Sequence, residues 1–251
     1  MFIIPINREF GAKNTPRAVL SLIVIDSLLL LTNYAVKSPE LLFKTYGFTP
    51  AHPQVLTLFT SMFLHTGFWH LVGNMFFLWM FGKDVENSLG TWLFLPVYLL
   101  CGLGGSFLHY VFNFDSAIPC IGASGAISGI VGCFFVLFPK ARFDLEFYLG
   151  WIHLGTIPSH TTAAVGAWIG EQAILGFLFQ TLHVSSIAFF AHVGGFAVGM
   201  IVAGCFKAIV PLGADGLPIV RPWFIPAPAN TEHKKLRHSQ HPGPRTYEPP
   251  E

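Results

Sequence analysis

Six stretches of mostly apolar residues recur along the chain, each close to the roughly 20 residues that a helix needs to cross a bilayer. They fall at about 17–36, 68–85, 91–112, 118–138, 160–182 and 186–207. Short polar connections such as KDVENSLG and NFDSA separate some of them. The segment between the fourth and fifth, PKARFDLEFYLGWIHLGTIPSH, is mixed in polarity and reads as interfacial. Within lipid every backbone polar group must be paired inside the chain, so runs of this kind predict helices. Only 11% of residues are charged and 53% are hydrophobic, against about 25% charged in an average soluble domain. The expectation is an all-α, multi-pass membrane protein whose first partner is the lipid bilayer. Fourteen basic and 13 acidic residues nearly cancel, so no global field points to a nucleic acid partner. The four cysteines lie in or beside apolar runs without CxxC spacing, which favours small buried hydrophobes over disulfides or a metal site.

Lys and Arg in short connections set the orientation of such a bundle. Arg8, Lys13 and Arg17 precede the first span, Lys83 follows the second, Lys140 and Arg142 follow the fourth, and Lys207 and Arg221 follow the sixth. The opposite side carries only Lys37 and Lys44. Both termini are therefore expected in the cytoplasm, and spans two, four and six run from outside to inside. Polar residues precede the first span and no A-x-A site follows it, so the N-terminus reads as the start of a resident membrane protein. Three regions result: a cytoplasmic N-terminal segment 1–16, a membrane domain 17–207, and a tail 208–251. Nine of the chain's 18 prolines fall from Pro211 onward, a composition that predicts a disordered cytoplasmic extension.

Within the spans, a few polar residues share one depth. His70 and Asn74 open the second span, Ser124 comes early in the fourth and His192 early in the sixth. At 1.5 Å rise per residue all four sit within roughly 10 Å of one level, near the outer boundary. Polar groups at that depth usually mark function. Small residues surround them. Ala191, Gly195, Gly199 and Ala203 repeat every four residues, and Gly125, Gly129 and Gly132 nearly do. Such faces let helix backbones approach closely, and their meeting would bring His192 within reach of Ser124. A serine beside a neutral histidine can act as a nucleophile with a general base. The oxyanion that forms needs donors, which the Ser124 backbone N–H, Asn74 and His70 can supply. No third member is evident, so the expectation is a dyad without metal or cofactor.

These residues resemble the rhomboid family of intramembrane serine proteases. The resemblance rests on GASG around Ser124, HLVGN at His70 and Asn74, and AHVGG around His192. It covers about residues 15 to 207, more weakly over 140–185, and the flanking text also resembles bacterial members. It implies a six-helix rhomboid-like bundle with Ser124 as nucleophile and His192 as base. It also implies cleavage of transmembrane or membrane-anchored proteins near the outer face, in a bacterial inner (plasma) membrane. The first outer loop, about 37 to 60, lacks the Trp-Arg pair of many members. Ser128 stands where some members carry a tyrosine that stacks on the histidine, so glycine packing is expected to orient His192.

Two other functions compete. One is a catalytically silent relative that binds or escorts membrane clients; such proteins typically lack the serine or histidine that this chain keeps. The other is a haem or transport protein using span histidines such as His109 and His192. Two acids fall inside spans: Glu171 is expected to face the bundle as a structural partner, and Asp26 has no assigned role.

Overall fold

In a computed structural model, the chain is described over residues 2–7, 15–35, 38–149, 152–182 and 188–213. The order of elements is β1 (Phe2–Asn7), α1 (Arg17–Ala35), α2 (Pro39–Tyr46), α3 (Val55–Thr60) with a 3-10 turn at Ser61–Phe63, α4 (Phe68–Leu89), α5 (Thr91–Phe112), α6 (Ser124–Leu137), β2 (Arg142–Leu149), β3 (Ile152–His160), α7 (Thr161–Leu182) and α8 (Phe189–Ile209). Six of these helices coincide with the six apolar stretches. By length and apolarity α1, α5 and α8 can each cross a membrane, and α3 with its turn and α4 form a bent pair, at 91°, that counts as a fourth.

α6 departs from expectation at its start. It begins at Ser124 rather than near 118, because the preceding segment is held extended by the outer loop. Phe48 and Cys120 exchange backbone hydrogen bonds of 3.0 and 2.8 Å, Ala51 N–H donates to Ser116 O at 2.9 Å, and Gly122 N–H donates to Ser61 O at 2.9 Å. Irregular backbone at membrane depth is tolerated only where such partners exist. Gly47 makes this crossing possible: a Cβ there would lie 2.7 Å from Ile121 Cγ2 and 2.9 Å from Pro119 Cβ. The loop without a Trp-Arg pair thus packs by backbone pairing.

The all-α expectation needs correcting. β1, β2 and β3 form an antiparallel sheet in that order, with Phe2 opposite Tyr148 and Arg142 opposite His160. The sequence RFDLEFYL alternates apolar and polar residues with the period of a strand. Phe143 anchors the sheet to the helices, its ring 5.7 Å from those of Phe81 on α4 and Phe134 on α6. The sheet also brings the N-terminal segment and the connection after α6 to one end of the bundle. Residues 214–251, most of the expected tail, lie outside the described residues.

The core is aromatic at its centre, with Phe81, Phe94, Tyr98 and Phe134 fully buried. Outward-facing positions are also apolar: Leu31, Phe107 and Ile201 are each more than 60% exposed, as befits helices solvated by acyl chains. Glu86 on α4 caps α1 from a distance, accepting from Ala18 N–H (3.0 Å), Val19 N–H (2.9 Å) and Thr91 Oγ1–H (2.7 Å). The first turn of a helix leaves such donors unpaired and carries partial positive charge, so a carboxylate is the fitting partner. Asp26 on α1 is fully buried, and neither of its oxygens has a hydrogen-bond partner among the described residues.

Small residues decide how α6 and α8 meet. A Cβ on Gly195 or Gly199 would collide with the carbonyl oxygens of Gly125 and Gly129, and one on Gly132 with that of Phe196. α5 joins the same seam: a Cβ on its Gly105 would lie 2.7 Å from Ala191 O. The two glycine-lined faces read from the sequence are therefore one interface. Cys133 reinforces it, its thiol donating to Gly199 O at 3.2 Å.

Candidate active site

Ser124 is the first residue of α6. Its helix starts where the extended segment turns at Gly122, whose φ of +126° a side chain would rarely accept. The next intrahelical bond runs from Ile127 N–H to Ala123 O, so the N–H groups of Ser124 and Gly125 lie in the unpaired first turn.

His192 lies in the first turn of α8, and the seam of small residues delivers it to the serine. Its Nε2 is 2.9 Å from Ser124 Oγ. Its other ring nitrogen, Nδ1, is 2.7 Å from Oε1 of Gln172 on α7. An amide oxygen only accepts, so Nδ1 carries the ring proton and Nε2 offers a lone pair to the serine hydroxyl. Trp168, one turn before Gln172, lies over the imidazole with ring centroids 6.3 Å apart and planes 27° from parallel. Orientation of His192 thus comes from two α7 side chains as well as from glycine packing. Ser128 has a different task, donating to Ser124 O at 2.7 Å.

His70 and Asn74 reach the same place from α4. The Thr66 N–H points at His70 Nδ1 (3.4 Å) and Thr66 Oγ1 lies 3.0 Å from it. A donor at Nδ1 leaves the His70 proton on Nε2. That Nε2 faces Gly122: a Cβ built on Gly122 would lie 3.0 Å from it and 3.8 Å from Ser124 Oγ. His70 is therefore placed as a donor beside the serine. Asn74 is nearly buried and donates to His70 O at 3.0 Å, so one amide proton is committed to its own helix. His65 packs edge-on against His70, with centroids 5.2 Å apart.

One cavity of about 700 Å³ gathers these groups, lined among others by His70, Asn74, Ser124, Trp168, Gln172 and His192. All four residues singled out in the sequence meet there. Glu171 does not face the bundle as expected; it is exposed, and the next residue, Gln172, turns inward instead. Gln172 and Trp168 escaped the sequence reading. Their signal was an amide four residues after a tryptophan, on one face of an otherwise apolar helix.

Fold and site together define a class: an integral membrane protein whose helical bundle holds a half-buried serine–histidine hydrogen bond in the wall of a cavity between its helices. The chain belongs to the rhomboid family, since the family model for the Rhomboid domain matches residues 52–208. Rhomboid protein 1, mitochondrial, of Saccharomyces cerevisiae is 33% identical over 152 residues, covering 58% of this chain and 40% of that protein. RHOMBOID-like protein 5 of Arabidopsis thaliana is 28% identical over 181 residues, covering 72% of this chain and 52% of its own length. Rhomboid protease GluP of Bacillus subtilis is 44% identical over a shorter 75 residues, 30% of this chain and 14% of that protein. The chain thus spans about half or less of the curated relatives it matches. With mitochondrial and plant proteins among them, the expectation of a bacterial plasma membrane finds no support.

Proposed function

We propose that this chain is an intramembrane serine endopeptidase that cleaves transmembrane or membrane-anchored proteins near the outer face of the bilayer. The observation that carries this reading is the 2.9 Å contact between Ser124 Oγ and His192 Nε2. Ser124 Oγ attacks the scissile carbonyl as its proton passes to His192 Nε2. The tetrahedral oxyanion is received by the Ser124 N–H, with His70 Nε2–H and Asn74 as further donors. His192 returns the proton to the departing amine, and water from the cavity then hydrolyses the acyl-enzyme.

Depth supports the same reading. At 1.5 Å per residue, the 14 residues of α6 span about 21 Å, less than the ~30 Å hydrocarbon core. If α6 ends near the inner boundary, Ser124 lies below the outer one, and the paired segment before it makes up the shortfall. Six crossing helices with both termini on the Lys- and Arg-rich side complete the arrangement. The shared sheet of β1 and β2 is consistent with it, because it requires the N-terminus and the α6–α7 connection to lie on one side. A substrate helix has its amides paired internally, so the preferred substrates carry small or helix-breaking residues that unwind near the interface.

The test is co-expression with a panel of single-span reporters, wild type against Ser124→Ala and His192→Ala, with product termini mapped by mass spectrometry. Cleavage by wild type alone, with fluorophosphonate labelling at Ser124, is the expected result. Undiminished proteolysis by purified Ser124→Ala protein refutes the role. Intact reporters and an unlabelled wild type in native membranes would instead favour a silent client-binding protein.

A further inference from the structure

Gln172 sits in the middle of the apolar helix α7, where an unpaired amide is costly. The N–H of such a side chain can donate to the carbonyl one turn back on its own helix, as Asn74 does, but its oxygen needs a donor from elsewhere. Gln172 turns that oxygen to His192 Nδ1 at 2.7 Å, while Trp168, one turn away, covers the ring face. The imidazole is thereby held on an edge and a face by one helix, and at its Nε2 by another.

We infer that Gln172 is the positioning residue for His192: its amide oxygen fixes the ring proton on Nδ1 and aims Nε2 at Ser124. The inference rests on the proposed protease reading and adds a third member, uncharged, to its dyad. An acceptor at Nδ1, whether amide or carboxylate, selects the tautomer that leaves the Nε2 lone pair free to take the serine proton. It also ties the chemistry to the seating of α7. Ser124 and His192 belong to α6 and α8, which the glycine seam locks together, but the group that readies the histidine arrives from a helix outside that seam. A displacement of α7 therefore disarms the base without separating α6 from α8.

The experiment compares the full chain, purified in detergent, with Gln172→Met, which keeps length and packing but loses the acceptor, and Gln172→Glu, which keeps an acceptor at the same reach. Fluorophosphonate labelling of Ser124 reads the chemical step without a substrate. The Met variant is expected to label at least ~10-fold more slowly, with a reporter KM within about twofold of wild type. Its thermal midpoint should stay within about 2 °C. The Glu variant recovers most of the lost rate. Should the Met variant fold poorly, Gln172→Glu against Gln172→Lys asks the same question, since both are charged but only Glu accepts. Labelling by Gln172→Met at the wild-type rate, or by Gln172→Glu no faster than by Met or Lys, overturns the assignment. Persistent labelling of Ser124→Ala protein would instead defeat the protease reading itself, so the two failures are distinct.

Discussion

Gly195 has no room for a side chain because the carbonyl oxygen of Gly125 already fills the place where one would begin. The relation recurs one turn on, between Gly199 and Gly129. The obstacle in both cases is backbone, which cannot swing aside as a side chain would, so adding a methyl group must push α8 away from α6. Gly195→Ala and Gly199→Ala should each lower stability by about 2 kcal/mol or more and abolish labelling of Ser124. Gly73 and Gly204 have nothing within 4 Å of the same position, and their alanine variants should melt with wild type. Thermal unfolding of the four purified variants checks the contrast.

A second expectation concerns Gly122. Alanine there meets a φ of +126° and the ring of His70, 2.9 Å from the new Cβ to Cε1. The backbone strain alone costs roughly 1–3 kcal/mol. Gly122→Ala should therefore lose most of its labelling rate through displacement of His70 and of the turn that presents Ser124, while α6 and α8 stay paired. Far-ultraviolet circular dichroism unchanged from wild type, alongside the slower labelling, is the outcome to look for.

His70 and Asn74 should not be equal. Among the described residues nothing bonds the His70 Nε2–H that faces Gly122, whereas Asn74 has already given one amide proton to His70 O. Losing an oxyanion donor of the first kind typically costs 10²–10³ in kcat, so His70→Ala should fall by about that factor and Asn74→Ala by only ~10-fold, with KM little changed in either. Steady-state cleavage of a reporter by purified variants measures both. Equal losses, or a larger one for Asn74→Ala, would reverse the roles given to the two residues.

Much of this was legible in the chain because the signals are local and periodic. Apolar runs of helical length mark the helices, and a four-residue repeat of Gly and Ala marks the face that brings Ser124 to His192. The rest depends on pairings that no local pattern contains. Phe2–Asn7 is a strand because β2 offers it an edge, and residues 8–141 lie between the two in the chain. The alternation in RFDLEFYL was visible, but mixed polarity beside a membrane also fits an interfacial loop. Hydrophobic counting drew attention to the charged Glu171, yet rotation of α7 by one position makes Gln172 the inward residue. A neutral amide raises little alarm in a hydropathy profile, although its hydrogen bond can decide which nitrogen of an imidazole is free.

Glu86 makes a separate prediction, of stability rather than chemistry. Its carboxylate serves two backbone donors of α1 and the Thr91 hydroxyl. Glu86→Ala strands all three and should cost about 2 kcal/mol or more, while Glu86→Gln, which keeps one acceptor, should cost less. Chemical denaturation in detergent ranks them. At temperatures where both variants remain folded, labelling of Ser124 should match wild type, since the cap lies outside the cavity lining.

That cap also has a bearing on how the protein is made. The carboxylate that closes the start of α1 is supplied 67 and 68 positions later in the chain. α1 must therefore wait in the lipid with its leading turn unfinished until α4 has been synthesised and delivered alongside it. Maturation of this bundle is a matter of order: a helix made earlier is completed by a side chain made later.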